Sequence, residues 1–411
     1  MRVLTVGNMY PPHHLGGYEL TWRSAVHHLR HAGHEVRVLT TDYRHPTPDP
    51  GIPEDPGVVR GLRWYWRDHD FPALGLGERI ALERHNGRVL ERQLGELRPH
   101  VVSWWAMGGM SLSLIERARR IGLPAVGVVG DDWMAYGPEV DAWVRLAGRL
   151  GPLASLAGRL VGIPGRLGPS GATWLFNSDA MRQAAKGSPF AADTLELAHP
   201  GIDERLFLAA PPAPWRWRLL YVGRIDERKG IDSAVAALAH LPEEARLTVL
   251  GSGDERYLAK LRELAGHLGV QQRIDFGQVA RERLADAYAE ADVVLFPVRW
   301  EEPWGLVPLE AMAVGTPVVA TGTGGSSEYL RDRENALVVG RGAGPEEMAG
   351  AVRELAEDAS LRESLRTGGL QTAARYTERA YNKRIERALE RAAGGRAQCD
   401  GVSRRQRRGG S

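Results

Sequence analysis

The stretch VRWEEPWGLVPLEAMAVGTPVVATGTGGSSE, residues 298–328, decides the fold of this chain. An apolar run from Ala291 to Phe296 precedes it and is typical of a buried strand. A polar loop with Glu302 follows, then a short apolar segment with Glu310, then a second strand-like run from Pro317 to Ala320. A strand, a helix and a second strand in this order predict one unit of a parallel α/β sheet.

Pro303 and Gly305 mark the start of the predicted helix. The backbone amides of Gly305, Leu306 and Val307 are therefore expected to be free N-terminal donors at the carboxyl end of the first strand. Such amides, together with the helix dipole, suit a phosphate group. The sequence thus predicts an anion-binding loop at this edge of the sheet.

Glu302 lies before the helix and Glu310 inside it, so the two side chains cannot form a simple pair on one helix face. They are therefore expected to contact two parts of one elongated ligand. The motif Glu302-Pro303-Trp304-Gly305, with Glu310 further on, resembles the E-P-F-G signature of the retaining glycosyltransferases of family 4, with Trp304 in place of Phe. The resemblance implies that Glu302 lies beside the donor sugar and that Glu310 binds the ribose hydroxyls of the nucleotide. It also implies that Trp304, in the same loop, contacts the substrate.

A second motif, Tyr221 to Gly230, follows a strand-like run and precedes a helix. A tight turn at Gly223 would let Arg224 and Lys229 converge on one anion. The motif resembles the family element whose cations hold the donor diphosphate. A solvated loop with incidental charges is the alternative, but the chain has only four lysines, so a lysine in a motif is less readily explained by chance.

Two further loops resemble family elements. Gly16 and Gly17 precede a helix that begins near Glu19, and their lack of side chains would allow a phosphate close to the backbone, although such a pair also forms ordinary turns. Val279, in the sequence Gly277-Gln278-Val279, should border the nucleotide base, as the resemblance implies.

The acceptor side departs from the family pattern. After the run from Ala125 to Val129 the family commonly has His-Asp, whereas this chain has Gly130-Asp131-Asp132. The role of the missing histidine is either lost or taken by Asp131, Asp132 or Tyr136. These aspartates, like Asp68-His69-Asp70, are of a type that suits Mg²⁺ or Mn²⁺. We expect no metal, because the predicted cation pair would already neutralise a diphosphate.

Apolar runs alternate with helix-length amphipathic segments in both halves of the chain, which is typical of parallel α/β sheets. The predicted strands are Val3–Val6, Glu35–Thr40, Val101–Trp105, Ala125–Val129, Trp174–Phe176, Leu219–Val222, Leu247–Leu250, Ile274–Phe276, Val293–Phe296 and Pro317–Ala320. The resemblance implies the GT-B fold, two Rossmann-like domains facing a central cleft. The expected segments are an acceptor domain over 1–208, a donor domain over 209–375, a helix over 376–393 that returns to the amino-terminal domain, and a disordered basic tail over 394–411.

The amino-acid composition limits the partners that the protein could bind and the cell compartment in which it could work. The 411 residues are 43% hydrophobic and 25% charged, with a formal net charge of +2, so no global field favours nucleic acid. The single cysteine, Cys399, excludes an internal disulfide framework and fits a reducing cytoplasm. No apolar run is long enough for a signal peptide or a membrane span, so we expect a cytoplasmic protein.

Apolar residues recur at helical spacing at Leu153, Leu156, Leu160, Ile163 and Leu167, interspersed with arginines. This pattern predicts a helix stripe that is broken near Gly162. Packing against the amino-terminal domain is one interpretation, and a peripheral membrane or lipid-acceptor contact is the other.

The resemblance implies a retaining transfer of a hexose-type sugar from a UDP- or GDP-type co-substrate, with no other cofactor, to a small-molecule, glycan or lipid-linked acceptor. No residue pair supplies an obvious nucleophile and base, which fits a front-face substitution in which the leaving phosphate takes the acceptor proton. A sugar-nucleotide epimerase or hydrolase of the same fold is the alternative. A nicotinamide oxidoreductase would need Gly-x-Gly-x-x-Gly after the first strand, which Gly7-Asn8-Met9 does not supply.

Overall fold

The computed structural model describes the backbone of residues 1–46, 48, 51–66 and 70–408, with the side chains at 152, 154, 155, 157 and 395–408 left out. The chain divides into a first unit, Met1–Ala198 with the segment from Asn382 onward, and a second unit, His199–Tyr381. The division follows Ala198, whereas the sequence places the boundary after residue 208. Residues after Ala198 belong to the second unit because the backbone of Ile202 pairs with Tyr376 and Glu378, at 3.0 and 2.8 Å.

Strands and helices alternate along both units. The strands are β1 Arg2–Val6, β2 Glu35–Thr41, β3 Val58–Leu62, β4 Val101–Trp104, β5 Ala125–Val129, β6 Thr173–Phe176, β7 Thr194–Leu197, β8 Arg218–Val222, β9 Arg246–Leu250, β10 Ile274–Gly277, β11 Val293–Phe296, β12 Val318–Ala320 and β13 Leu337–Val338. The α-helices are α1 Gly17–His31, α2 Leu76–Leu97, α3 Ser113–Arg120, α4 Trp133–Val140, α5 Ala142–Leu150, α6 Ala154–Val161, α7 Asp179–Ala184, α8 Ile231–Ala237, α9 Glu255–His267, α10 Leu284–Glu290, α11 Leu306–Val314, α12 Pro345–Glu357, α13 Ala359–Ala373 and α14 Glu378–Arg408.

Each unit is built on one parallel sheet. The order is β3-β2-β1-β4-β5-β6-β7 in the first unit and β10-β9-β8-β11-β12-β13 in the second. Every named pair is parallel. The strand order reverses beside β1 in one sheet and beside β8 in the other, which is the Rossmann arrangement. Two Rossmann-like domains are therefore confirmed.

The central strands are buried on both faces, as parallel sheets covered by helices require. Every residue of β4 and β11 is buried, which explains why both strands are continuous apolar runs in the sequence. The sequence prediction missed β3, β7 and β13. All three lie at sheet edges and are less completely buried, so their apolar pattern is weaker.

The last helix, α14, packs on the first unit, so the prediction that it returns there is confirmed. Ile385 and Leu389 are fully buried, and the Asn382 side-chain amide donates to the Ser24 hydroxyl at 2.8 Å. Residues 394–408, for which the sequence predicts a disordered tail, continue this helix. Alanine, arginine and glutamine favour helix, and each added residue adds one hydrogen bond to a helix already formed. Residues 409–411 lie outside the described residues.

None of the described helices combines the length and the apolar character that a membrane crossing requires.

Candidate functional site

The loops that follow β8 and β11 leave the second sheet at its carboxyl edge, beside the point where the strand order reverses. Ligands of doubly wound sheets bind at such positions. The Arg299 amide donates to the Arg228 carbonyl at 3.0 Å, which joins the two loops. Gly230 has a φ of 69°, and a Cβ there would lie 2.0 Å from the Pro297 carbonyl oxygen. Only glycine permits this approach, so the two loops form one backbone frame.

Lys229 and Glu302 form an ion pair across this frame. The Lys229 ammonium lies 2.6 Å from Glu302 Oε2, and the Trp300 indole donates to the same oxygen at 3.0 Å. Glu302 is 7% exposed, and the Lys229 ammonium lies 5.6 Å from the centre of the Trp300 ring. The two side chains that the sequence assigned to diphosphate and sugar are therefore in contact with each other. An incoming phosphate would compete with Glu302 for Lys229.

Arg224 has a different partner. Its guanidinium lies 3.8 Å from Asp226 Oδ2, and Arg228 donates to the same oxygen at 2.7 Å. Burial raises the pKa of Asp226, but hydrogen bonds from Arg228 and the charges of both arginines outweigh it and lower the pKa to about 2. The Arg224 side chain is 40% exposed. Arg224 and Lys229 thus each have a carboxylate partner in this structure.

Glu310 lies inside α11 and is 4% exposed. The Tyr288 hydroxyl donates to its Oε2 at 2.8 Å, and Arg281 lies 3.6 Å from its Oε1. Burial and the negative charge of Glu310 hold the pKa of Tyr288 well above its usual value, so the tyrosine remains a donor. Sequence reasoning missed Tyr288 and Arg281. Arg281 lies two positions after Val279, which the resemblance places beside the nucleotide base, and this position is a sequence signal that could have found it. Val279 itself is 42% exposed.

Gly305 is the N-cap residue of α11, with a φ of 83°, and it makes no side-chain cap hydrogen bond. The amides of the first helical turn, which include Leu306 and Val307, have no carbonyl partner within the helix. Leu306 and Val307 are half-buried. The Tyr329 hydroxyl donates to the Gly305 carbonyl and so fixes the entry to the helix. These amides remain the candidate phosphate donors.

Trp304 lies in the core of the second unit, with only 3% of its surface exposed. Its ring stacks on His199 with centroids 4.6 Å apart, and it packs against Tyr329 and Tyr376. Its indole donates to the Pro200 carbonyl at 3.0 Å. This burial differs from the predicted ligand contact, because the apolar ring gains more from the aromatic cluster than it would at a polar loop surface. The side chain instead anchors the loop that carries Glu302.

A third loop, at Gly324 and Gly325, contacts the backbone of Glu302. The Gly325 amide donates to the Glu302 carbonyl at 2.6 Å. Gly324 has a φ of 57°, and a Cβ there would lie 2.4 Å from the same carbonyl oxygen. On the other side of the frame, the Gly223 amide donates to the Leu250 carbonyl at 3.0 Å and prolongs the pairing of β8 with β9 into the loop.

In the first unit, Gly16 caps α1 and Gly17 is its exposed first residue. The Gly16 amide donates to the carboxylate of Glu19 at 3.0 Å, so this amide already has an acceptor inside the protein. A phosphate at this loop would have to share Gly16 with Glu19, whereas the first-turn amide of Gly17 has no carbonyl partner within the helix.

Asp131 follows β5 and is half-buried. Burial, followed by the negative charge of Asp132, raises its pKa to about 7. A hydrogen bond joins it to Tyr136, whose pKa is raised by burial and by Asp131. Asp132 is exposed. The structure therefore brings the three predicted acceptor-side residues together after one strand, with a carboxyl group that can hold a proton near neutral pH.

Among the described residues, His34, Glu386 and Glu390 are the one group of three or more such side chains whose atoms lie close enough to hold a metal, within 4.8 Å of one another. His34 already contacts Glu386 at 3.1 Å. The group contains none of the predicted site residues. Asp68 and His69 of the other candidate metal sequence lie outside the described residues.

Residues 211–372 match the family model described as glycosyl transferases group 1, so the match contains the whole β8–β11 frame. Over 204 residues the chain is 38% identical to a D-inositol 3-phosphate glycosyltransferase of Xylanimonas cellulosilytica, covering 45% of this chain and 48% of the relative. Over 243 residues it is 33% identical to a GDP-mannose-dependent α-(1-6)-phosphatidylinositol monomannoside mannosyltransferase of Mycobacterium tuberculosis, covering 52% and 62%. The chain thus spans about half the length of the curated relatives it matches.

Solved structures match over nearly the whole chain. A sucrose-phosphate synthase of Thermosynechococcus elongatus superposes with a TM-score of 0.70 at 19% identity, covering 96% of this chain and 99% of the other. HepE of Anabaena, in complex with UDP and glucose, superposes with a TM-score of 0.69 at 19% identity, covering 95% and 99%. At this identity the likeness shows the fold alone. Together, the group 1 domain and the two Rossmann-like units confirm the resemblance of this chain to the family 4 glycosyltransferases of GT-B fold.

Proposed function

We propose that this protein is a glycosyltransferase that moves a sugar from a nucleotide-diphosphate donor to an acceptor hydroxyl. The observation that carries the proposal is the single backbone frame in which Lys229, Glu302 and the first turn of α11 meet at the carboxyl edge of the second sheet. A cation and free helix amides suit a diphosphate, and a carboxylate suits sugar hydroxyls. The frame lies within the part of the chain that matches the group 1 family.

In more detail, we propose a hexose-type sugar, a UDP- or GDP-type carrier and retention of anomeric configuration by front-face substitution. Lys229, Arg224 and the α11 amides would stabilise the charge that grows on the leaving phosphate, which then takes the acceptor proton. Glu302 would orient the sugar, and Glu310 the ribose. The relative that is named as GDP-mannose-dependent supports a nucleotide-sugar donor.

For the acceptor we propose a small molecule, a glycan or a lipid-linked group, bound on the first unit near Asp131, Asp132 and Tyr136. A carboxyl group whose pKa is about 7 can accept or donate a hydrogen bond to a hydroxyl near neutral pH. We also propose that the protein works in the cytoplasm and without a metal.

Mass spectrometry of protein incubated with a panel of UDP- and GDP-sugars tests the proposal. The expected result is release of UDP or GDP, with a gain of one sugar mass on an added acceptor. A donor that is isomerised without any acceptor would instead indicate an epimerase. If no nucleotide sugar in the panel is bound or consumed, the proposed function is wrong.

A further inference from the structure

The helix pair α5–α6 of the first unit presents a group of leucines to solvent. The exposed fractions are 39% for Leu150, 63% for Leu153, 58% for Leu156 and 79% for Leu160. Of the predicted stripe, Ile163 is buried and Leu167 is half-buried, whereas the other three leucines face outward. Single exposed leucines are ordinary, but four within the eleven residues 150–160 are a concentration of the kind that marks an interaction surface.

The segment that carries these leucines is firmly anchored. Trp143 is 4% exposed, and its indole donates to the Pro164 carbonyl at 2.8 Å. Arg84 of α2 donates to the Val161 carbonyl at the end of α6, at 2.9 Å. Ile163 closes the segment at 2% exposure. The leucines are therefore exposed on a segment that is otherwise packed against the rest of the first unit.

Arginines lie on both sides of these leucines in the sequence and between them. Residues 142–178 contain Arg145, Arg149, Arg159 and Arg166 but no lysine, aspartate or glutamate. All four arginines are exposed, and within the described part of the chain Arg149, Arg159 and Arg166 form no ion pair. The whole chain has a net charge of only +2, so this concentration of one sign is a local feature.

We infer that these leucines, with the arginines that flank them, form a membrane-binding surface for anionic lipids. Apolar side chains can enter the boundary of the acyl chains while arginines contact the head groups, as in interfacial amphipathic helices. A second copy of this chain is a poorer occupant, because a two-fold contact would bring the arginines of both copies together. Membrane binding would favour the lipid-linked acceptor, but it does not depend on the proposed activity.

Cosedimentation of the full chain with phosphatidylcholine vesicles, with and without phosphatidylglycerol, tests the inference. We expect binding to the anionic vesicles that weakens as salt is raised. The double variant Leu156→Ser/Leu160→Ser should bind at least about tenfold more weakly, since both leucines lose their apolar transfer energy. The double variant Arg149→Glu/Arg159→Glu should bind anionic vesicles more weakly by a similar factor, because it reverses the charge beside the leucines.

The matched control is Leu208→Ser, which removes a leucine that is 64% exposed on the second unit and should bind as the native protein does. Circular dichroism checks that each variant is folded. Absence of binding to anionic vesicles, or equal binding by all variants, would overturn the inference. Light scattering provides a second test. The inference is also wrong if the native protein is a dimer, the leucine variant is a monomer and neither of the two proteins binds vesicles.

Discussion

Lys229 and Glu302 are separated by 73 positions in the chain and meet at 2.6 Å. Their side chains are 15% and 9% exposed, so each depends on the other for compensation of its charge. A diphosphate that recruits Lys229 would leave Glu302 free to turn to a sugar hydroxyl. The pair can thus serve as a resting contact that the donor exchanges for its own phosphate and hydroxyl groups.

Lys229→Ala removes the cation from this pair. Turnover at saturating donor should fall at least about 100-fold, because one charge-stabilising donor is lost from the transition state. Unfolding in urea should show a loss of about 1–3 kcal/mol, since the buried Glu302 carboxylate loses its cation and keeps, among the described residues, only the Trp300 hydrogen bond. Lys260→Ala, on the exposed face of α9, is the control and should change neither quantity. Near-native turnover of Lys229→Ala would remove Lys229 from the site.

Asp131 predicts a pH dependence of stability. Its folded pKa of about 7 lies above the usual value of about 3.9 in an unfolded chain. The folded state therefore holds a proton that the unfolded state releases, and its contribution to stability is lost as the pH rises from about 4 to about 7. Asp131→Asn removes this loss, so the melting temperature of the variant should rise relative to that of the native protein as the pH increases from about 4 to about 7.

The control for this comparison is Asp275→Asn, at an exposed aspartate of β10. Its melting temperature should follow that of the native protein at every pH. A constant difference between Asp131→Asn and the native protein across the same pH range would mean that the Asp131 carboxyl is not protonated in the folded state.

Among the elements, the loops after β8 and β11 depend on close backbone contact at Gly230. Gly230→Ala places a Cβ 2.0 Å from the Pro297 carbonyl at a φ of 69°, so the loops must separate. Gly269→Ala has the same φ with no atom within 4 Å of the new Cβ. It should cost only about 1–2 kcal/mol for the left-handed backbone.

Thermal unfolding should therefore show a much larger loss for Gly230→Ala than for Gly269→Ala. Nucleotide binding should fall in the first variant alone, because only the first disturbs the frame. Equal losses of stability and unchanged nucleotide binding in both variants would show that the two loops need no close contact.

The sequence was sufficient to predict the central strands, because full burial makes β4 and β11 continuous apolar runs. It was insufficient for β3, β7 and β13, whose apolar patterns are weaker because these edge strands are less completely buried. At the site, the motifs drew attention to Lys229 and Glu302 but did not predict their contact, which depends on how two distant loops pack. The burial of Trp304 was missed for the same reason, since His199, its stacking partner, lies far away in the sequence.

For the whole molecule, we predict that activity survives exhaustive chelation with EDTA. We expect the cations and helix amides to supply the positive charge at the proposed diphosphate site, so that a metal should not be needed to stabilise the leaving group. Addition of Mg²⁺ or Mn²⁺ after chelation should not raise turnover. An enzyme that EDTA inactivates and Mn²⁺ restores would contradict this prediction and direct attention to Asp131 and Asp132.

We propose that the second unit binds a nucleotide-diphosphate sugar with Glu310 at the ribose and Glu302 at the sugar. Calorimetric titration with bare UDP and GDP tests it most directly. Glu310→Gln should weaken binding by about 1.5–3 kcal/mol, since a bond to a charged group is lost. Glu302→Gln should bind as well as the native protein or better, because Lys229 is released for the diphosphate.

Glu301→Gln is the matched control, because Glu301 is the exposed neighbour of Glu302 in the same loop and pairs with Arg341. We expect native affinity for this variant and a loss for Glu310→Gln alone. Equal loss of affinity in Glu302→Gln and Glu310→Gln, or no binding of either nucleotide by the native protein, would contradict the proposed positions of the two glutamates.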